Sequence, residues 1–375
     1  MELRQHFSEF LDAIRPTPAQ RADARASHLR LRERLAKNAP LDEHIITTFL
    51  QGSYRRSTDV RPVGDKKSDV DVVVVTNMSE ARFSPSSALD EFRAFLEEHY
   101  SGRYEMQDRS WGIVDGEVEL DLVPTSAPSE AVAESFRELR KADAAVDLGI
   151  EQSTIVRGIL REAAERGRRV MAALAKSDEW KDDPLHIPDR ERERWQPTHP
   201  LLQIDRTAEK NAACDGHFVN VVRCIKWWHL LQAGDVHPRG YPLEAIVFQN
   251  CPIGVESVSE GFVLTLEAIR NNYKPLFDRG GERPQIWDHG VPTHDVLARM
   301  SLVEFRLFYE CVALWTPFAR RALDETDRDI CIDRWVHIFG SSFPGRQDGG
   351  GGSGGRRVFP TPPSPVPAVP VKRYA

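Results

Sequence analysis

Ser68-Asp69-Val70-Asp71-Val72-Val73-Val74-Val75 is the stretch on which the fold turns. Its β-branched run predicts a buried strand, and residues two apart on a strand share a face. Asp69 and Asp71 therefore project together, while Val70 and Val72 face the other side. Two carboxylates aimed one way raise each other's pKa unless a cation sits with them, and a divalent ion keeps both as anions. Mg²⁺ suits such a pair because it takes one or two carboxylates and completes its shell with substrate phosphates.

A third carboxylate lies downstream. Val118-Glu119-Leu120-Asp121-Leu122-Val123 alternates as a second, bordering strand that is expected to end at Pro124, and it carries Asp121. Upstream, Gly52-Ser53 follows the apolar run Ile45-Ile46-Thr47-Thr48-Phe49-Leu50, and a turn bearing a hydroxyl there suits a triphosphate. Two metals ~3.5–4 Å apart activate an attacking oxygen and steady the leaving one in an in-line displacement. Taken singly the pieces are ordinary: Asp-Val-Asp before valines is most often a solvated strand start, and Gly-Ser most often a turn. Their order along one chain is what is specific.

That ordered set resembles the DNA polymerase β-type nucleotidyltransferase superfamily. The resemblance implies an α/β (α+β) fold with a small mixed sheet. It also implies metal ligands at Asp69, Asp71 and Asp121, and donor phosphates held by Gly52 and Ser53. The spacer over 54–68 is longer than the family pattern, and Gly64-Asp65-Lys66-Lys67 reads as a loop insertion.

Length and charge agree with an enzyme for small substrates. With 375 residues, 41% of them hydrophobic, the chain can bury one large core or two lobes. A net charge of −7 argues against a protein that coats long nucleic acid, which relies on many Lys and Arg to neutralise phosphates. Arg55, Arg56, Arg61, Lys66 and Lys67 cluster near the donor turn; such a run is a local basic pocket or simply an exposed loop. Cys214, Cys224, Cys251, Cys311 and Cys331 show no zinc spacing and read as reduced, buried thiols. No signal peptide opens the chain and no apolar run is long enough to span a bilayer, so a cytoplasmic protein without a membrane partner is expected.

Helical periodicity over 7–35 predicts one long helix packed on the catalytic sheet. Ser84-Pro85 marks a helix start before an amphipathic stretch over 88–99, and Asp115-Gly116 marks a hairpin turn. Residues 151–174 are helical in pattern, and proline-rich 181–200 reads as a surface excursion. Residues 218–230 have the apolar density of a central buried helix, with Lys226 as the exception. A lysine there snorkels to the surface or faces a triphosphate. We expect a nucleotidyltransferase lobe over 1–135, a helical nucleotide-binding lobe over 136–345, and a disordered tail over 346–375.

Further words narrow the resemblance to the bacterial cGAS/DncV-like nucleotidyltransferases of anti-phage signalling. They are Gln51-Gly52-Ser53-Tyr54, Asp69-Val70-Asp71, Leu120-Asp121-Leu122-Val123-Pro124, Arg223-Cys224-Ile225-Lys226-Trp227-Trp228, Tyr241-Pro242-Leu243-Glu244 and Ile338-Phe339-Gly340-Ser341-Ser342-Phe343-Pro344. The resemblance implies Lys226 in the nucleotide pocket and a Phe-Gly-x-x-Phe ending that closes the helical lobe. It implies two Mg²⁺ ions, with Mn²⁺ able to substitute, and ATP as substrate together with GTP or another NTP. The product is then a cyclic di- or trinucleotide second messenger read by a downstream effector. Thr198-His199-Pro200 and residues 210–228 look most like the clade that makes trinucleotides. The Gly/Ser/Pro tail after Gly345 is either a flexible linker or, as in some relatives, a terminus that an E1–E2 fusion enzyme conjugates through Ala375. Deleting residues 371–375 is expected to abolish that partner's thioester adduct, and an undiminished adduct would overturn the expectation. Two alternatives stay open: a transferase acting on RNA or protein, and a nucleotide sensor without turnover.

Overall fold

In the computed structural model, which describes residues 2–126 and 185–346, two helices stand where one was expected: α1 (Arg4–Ile14) and α2 (Pro18–Lys37). The cause is Pro16 and Pro18. A proline forces its predecessor into extended backbone, and Arg15 and Thr17 are both extended. Thr17 then caps α2 through a capping box with Gln20, with Pro18 at the first helical position. The expected helix over 151–174, the lobe boundary at 135 and the tail with Ala375 lie outside the described residues.

The chain divides into two units. Among the described residues, one takes Pro16–Ser57 and Arg61–Leu202; the other takes the chain up to Arg15, Thr58–Val60, and the chain from Gln203 to Arg346. The first is built on a mixed sheet. β1 (Ile45–Gln51) lies antiparallel to β2 (Ser68–Thr76), which is parallel to β5 (Val118–Ser126). β4 (Trp111–Asp115) and β3 (Tyr104–Met106) follow antiparallel, giving the order β1-β2-β5-β4-β3. The expected hairpin is there, with Asp115 paired to Val118 across Gly116-Glu117. Short helices α3 (Ala39–Asp42), α4 (Gly52–Arg56), α5 (Pro85–Asp90) and α6 (Arg93–Tyr100) fill the connections, and Ser84 caps α5 as read.

One face of the sheet, Val70, Val72, Val74, Leu120 and Leu122, is sealed by Leu31 and Leu35 of α2 and by Leu89, Phe92 and Leu96. Arg32 of α2 donates to the Thr48 hydroxyl and carbonyl at 3.1 and 3.0 Å, tying the helix to β1. Two expectations need correction. β5 runs through Pro124 to Ser126, because β4 has already stopped at Trp111 opposite Leu122. The missing proline N–H therefore costs no ladder bond. The stretch 181–200 is no loose excursion where it is described: β6 (Leu185–Asp189) and β7 (Arg194–Thr198) form a hairpin attached to β5 at Ser126.

The other unit is helical: α7 (Pro200–Ala213), which begins in the sheet unit, then α8 (Phe218–Gln232), α9 (Gly240–Asn250), α10 (Val258–Asp278), α11 (Leu302–Asp324) and α12 (Arg328–Phe339). Helix α1, read from sequence as part of the catalytic lobe, contributes Phe7 and Phe10 to this core. Phe10 stacks on Phe339 at 4.4 Å, and Phe343 and Trp335 pack around Phe7 at 5.2 and 5.0 Å. The Phe-Gly-x-x-Phe ending thus closes the helical core, with Gly340 in the left-handed region (φ 70°) turning the chain between its two rings. Phe339→Ala is expected to destabilise this unit by ~3–5 kcal/mol, read as a lower urea midpoint. All five cysteines are buried free thiols. No helix among the described residues is long and apolar enough to cross a membrane.

Candidate active site

The sheet face opposite the α2-sealed one is where the acidic residues meet. In the β2/β5 register Asp71 stands beside Asp121, and Asp69 beside Glu119. Neighbouring strands lie ~4.8 Å apart and matched residues share a face, so four carboxylates form two adjacent rows. The same face continues into a small apolar cluster of Val73, Val75, Phe49, Leu185 and Leu201, which backs the acids at one end. Glu119 was not singled out from the sequence. Its signal was the register: any residue two before Asp121 must sit beside Asp69 once the strands run parallel.

The Gly52-Ser53 turn reaches this face at the end of β1, where Gln51 pairs with Asp71. Gly52 has φ 74°, and a side chain built on it would place Cβ 1.7 Å from Asp71 Oδ2. The Asp71 carboxylate therefore lies directly against the glycine backbone. Gly52 and Ser53 open α4, whose Tyr54 packs on the His28 ring at 5.8 Å. Two residues of the basic cluster are tied into the fold. Arg56 is buried, and Lys67 donates to the Gly116 carbonyl at 2.6 Å, stitching the insertion to the β4/β5 turn.

Burial pushes the Asp121 carboxyl up to about 7, the Asp71 and Glu119 charges add to the rise, and a hydrogen bond from Gln107 partly offsets it. A carboxylate whose pKa is raised by burial and by like-charged neighbours is one of a set in want of a cation, and all the donors of that set are hard oxygens fit for Mg²⁺. Among the described residues no three His, Cys, Asp or Glu side chains converge as a ready-made metal cage. The acids line a strand face instead, as suits an ion whose shell is finished by phosphate oxygens. The pH consequence is specific. Between the ordinary 3.8 and about 7 the native state holds a proton that the unfolded chain has lost, so stability falls as pH rises through that window and levels off above it. With EDTA present, Asp121→Asn is expected to lose this slope and to exceed the wild type by on the order of a few kcal/mol at pH 8, read from urea midpoints.

Lys226 belongs to the helical unit. It neither snorkels nor stands alone: Nζ lies 2.5 Å from Glu244 Oε1 of α9, with both side chains largely buried. A buried ammonium needs such a counter-ion. The structure thus gathers Gly52, Ser53, Asp69, Asp71 and Asp121 in one unit, and places Lys226 in the other.

Comparison with known proteins agrees with this architecture. Residues 1–136 match the Second Messenger Oligonucleotide or Dinucleotide Synthetase domain. The chain is 40% identical to the cyclic AMP-AMP-GMP synthase of Enterobacter hormaechei subsp. hoffmannii (strain UCI 50), over 100% of both chains. It is 38% identical to a probable cyclic AMP-AMP-GMP nucleotide synthase of Salmonella paratyphi B, over 97% of this chain and 98% of that one. Among solved structures, the Bradyrhizobium diazoefficiens CD-NTase CdnG in complex with GTP superposes with a TM-score of 0.65, covering 92% of this chain and 97% of that one. At 12% identity that likeness is one of fold: a mixed-sheet nucleotidyltransferase with a helical C-terminal region, as expected from the sequence.

Proposed function

The chain belongs to the cGAS/DncV-like nucleotidyltransferases, the cyclic oligonucleotide synthases of anti-phage signalling, and from that premise we propose that it joins ATP and GTP into a cyclic AMP-AMP-GMP trinucleotide. The observation that carries the product is the 40% identity along the whole length to a protein of that activity. The residue roles are our assignment from the carboxylate face. Asp69, Asp71 and Asp121 would hold two Mg²⁺ ions, and Gly52 and Ser53 the donor triphosphate. Ions held there would supply Lewis-acid chemistry, favouring ionisation of the acceptor hydroxyl and offsetting charge on the departing pyrophosphate.

The chain's own contribution is placement. The Gly52 backbone locks the Asp71 carboxylate in position, and the parallel register holds Asp121 beside it, so the acidic groups are set before substrate arrives. In each transfer a ribose hydroxyl oxygen bonds to the donor α-phosphorus as the α–β anhydride bond breaks, releasing pyrophosphate. The last transfer closes the ring, and the free cyclic product carries the signal to its effector.

Incubating purified protein with all four NTPs and Mg²⁺ or Mn²⁺, then phosphatase and mass spectrometry, tests the proposal. A phosphatase-resistant ring of two adenylates and one guanylate, absent from an Asp69→Ala/Asp71→Ala control, is the expected result. Nucleotides found instead on RNA or protein would replace it with the transferase reading, and tight nucleotide binding without any product with the sensor.

A further inference from the structure

Gly112 of β4 sits opposite Asp121 of β5 in the antiparallel register. Its backbone does not demand glycine, since its φ is not among the left-handed ones. Its space does. A Cβ built at Gly112 would stand 2.5 Å from Gln107 Nε2 and 3.7 Å from Asp121 Oδ1. The Gln107 side chain fills the room that a side chain at 112 would take, with its nitrogen end beside the aspartate.

That end is set by the loop itself. Residues 107–110 connect β3 to β4, and the Gln107 N–H donates to the Ser110 carbonyl at 2.9 Å. The buried Ser110 hydroxyl donates to Gln107 Oε1 at 2.7 Å. With the amide oxygen so engaged, the NH₂ group is the end that shares the space over Gly112 with Asp121 Oδ1, where its dipole favours the carboxylate. Arg190 braces the loop from outside, donating from its guanidinium to the Gln107 carbonyl at 3.3 Å and from its backbone to Asp108 at 3.0 Å.

We propose that Gln107 is a positioning residue for Asp121: its amide, admitted by Gly112 and turned by Ser110, fixes the orientation in which that carboxylate meets a divalent ion. The inference rests on the reading of Asp121 as a metal ligand. Carboxylates that bind metals are held by hydrogen bonds from behind, and losing one such partner typically costs ~10–100-fold in metal affinity. Gly112 and Gln107 form one device, because a methyl at 112 evicts the amide.

The test is a Mn²⁺ titration of the full-length protein, followed by electron paramagnetic resonance in the presence of a non-hydrolysable ATP analogue, with circular dichroism to confirm folding. Gln107→Ala is expected to weaken Mn²⁺ binding ~10–100-fold. Gln107→Asn, which keeps the loop polar but falls short of Asp121, and Gly112→Ala are expected to do the same. The Gln107→Ala/Gly112→Ala double variant is expected to bind no more weakly than Gln107→Ala, since both changes remove one contact. Raising Mn²⁺ should restore product formation in Gln107→Asn. Wild-type Mn²⁺ affinity in Gln107→Ala and Gln107→Asn beside a weakened Asp121→Ala control overturns the positioning role alone, as do additive effects in the double variant. Wild-type affinity in Asp121→Ala removes the ligand assignment itself and the positioning with it.

Discussion

An Asp71→Asn enzyme is expected to form cyclic product at least ~10³-fold more slowly than the wild type, yet to be the more stable protein at pH 8 once divalent ions are removed. The loss follows from the proposed role. A ligand of the reacting centre supplies several kcal/mol of charge stabilisation, and each ~1.4 kcal/mol is tenfold in rate. The gain follows from the register. Asp71 lies beside Asp121, and its charge raises the Asp121 pKa, an effect second only to burial. Asparagine removes the like charge, so Asp121 ionises nearer its ordinary range and the pH-dependent penalty shrinks. Opposite movements of rate and stability separate a site residue from a merely structural one, whose loss lowers both. An active variant, or one less stable in EDTA, would count against the site as drawn.

Gly52→Ala carries the second large effect. Two costs coincide there: a left-handed backbone at φ 74°, worth ~1–2 kcal/mol to an alanine, and a methyl that would stand 1.7 Å from Asp71 Oδ2. Something must move, and the nearest thing to move is the carboxylate. A misplacement of ~1 Å at a reacting centre can cost ~10²-fold, so kcat is expected to fall by at least that much. Gly64 provides the internal comparison. It has a similar φ of 65° but open space around it, so Gly64→Ala should show the backbone cost alone, with turnover unchanged. Equal activities for the two variants would show that Gly52 is needed only for its turn.

What the sequence made legible was periodic. Two aspartates at strand spacing and a third on a later alternating run are visible because a strand's period of two puts them on one side, whatever surrounds it. The parallel pairing that aligns Asp71 with Asp121 is not visible, since register depends on how the intervening chain crosses over. With it were lost Glu119, which owes its place to that register, and Gly112, which owes its place to β4. Gln107 sits in a polar loop with no pattern, and only three-dimensional proximity distinguishes it. Prolines misled twice in opposite directions. Pro16 and Pro18 broke a helix that periodicity ran through, whereas Pro188 and Pro197 sit inside a paired hairpin that composition marked as loop. Lys226 could be seen as an anomaly on an apolar helix, but its partner Glu244 lies on the next helix, 18 residues away.

The division into units has a consequence for anyone who cuts the gene. Neither unit is a single segment: the helical one borrows the first fifteen residues and Thr58–Val60, and the sheet one resumes at Arg61. A fragment starting at Gln203 lacks the Phe10 ring that stacks on Phe339, so it leaves that aromatic surface bare and sticky in solution. Dissection by truncation is therefore the wrong tool for this protein. A permuted gene that carries residues 2–15 across to follow Arg346 would keep the aromatic packing within one continuous helical piece.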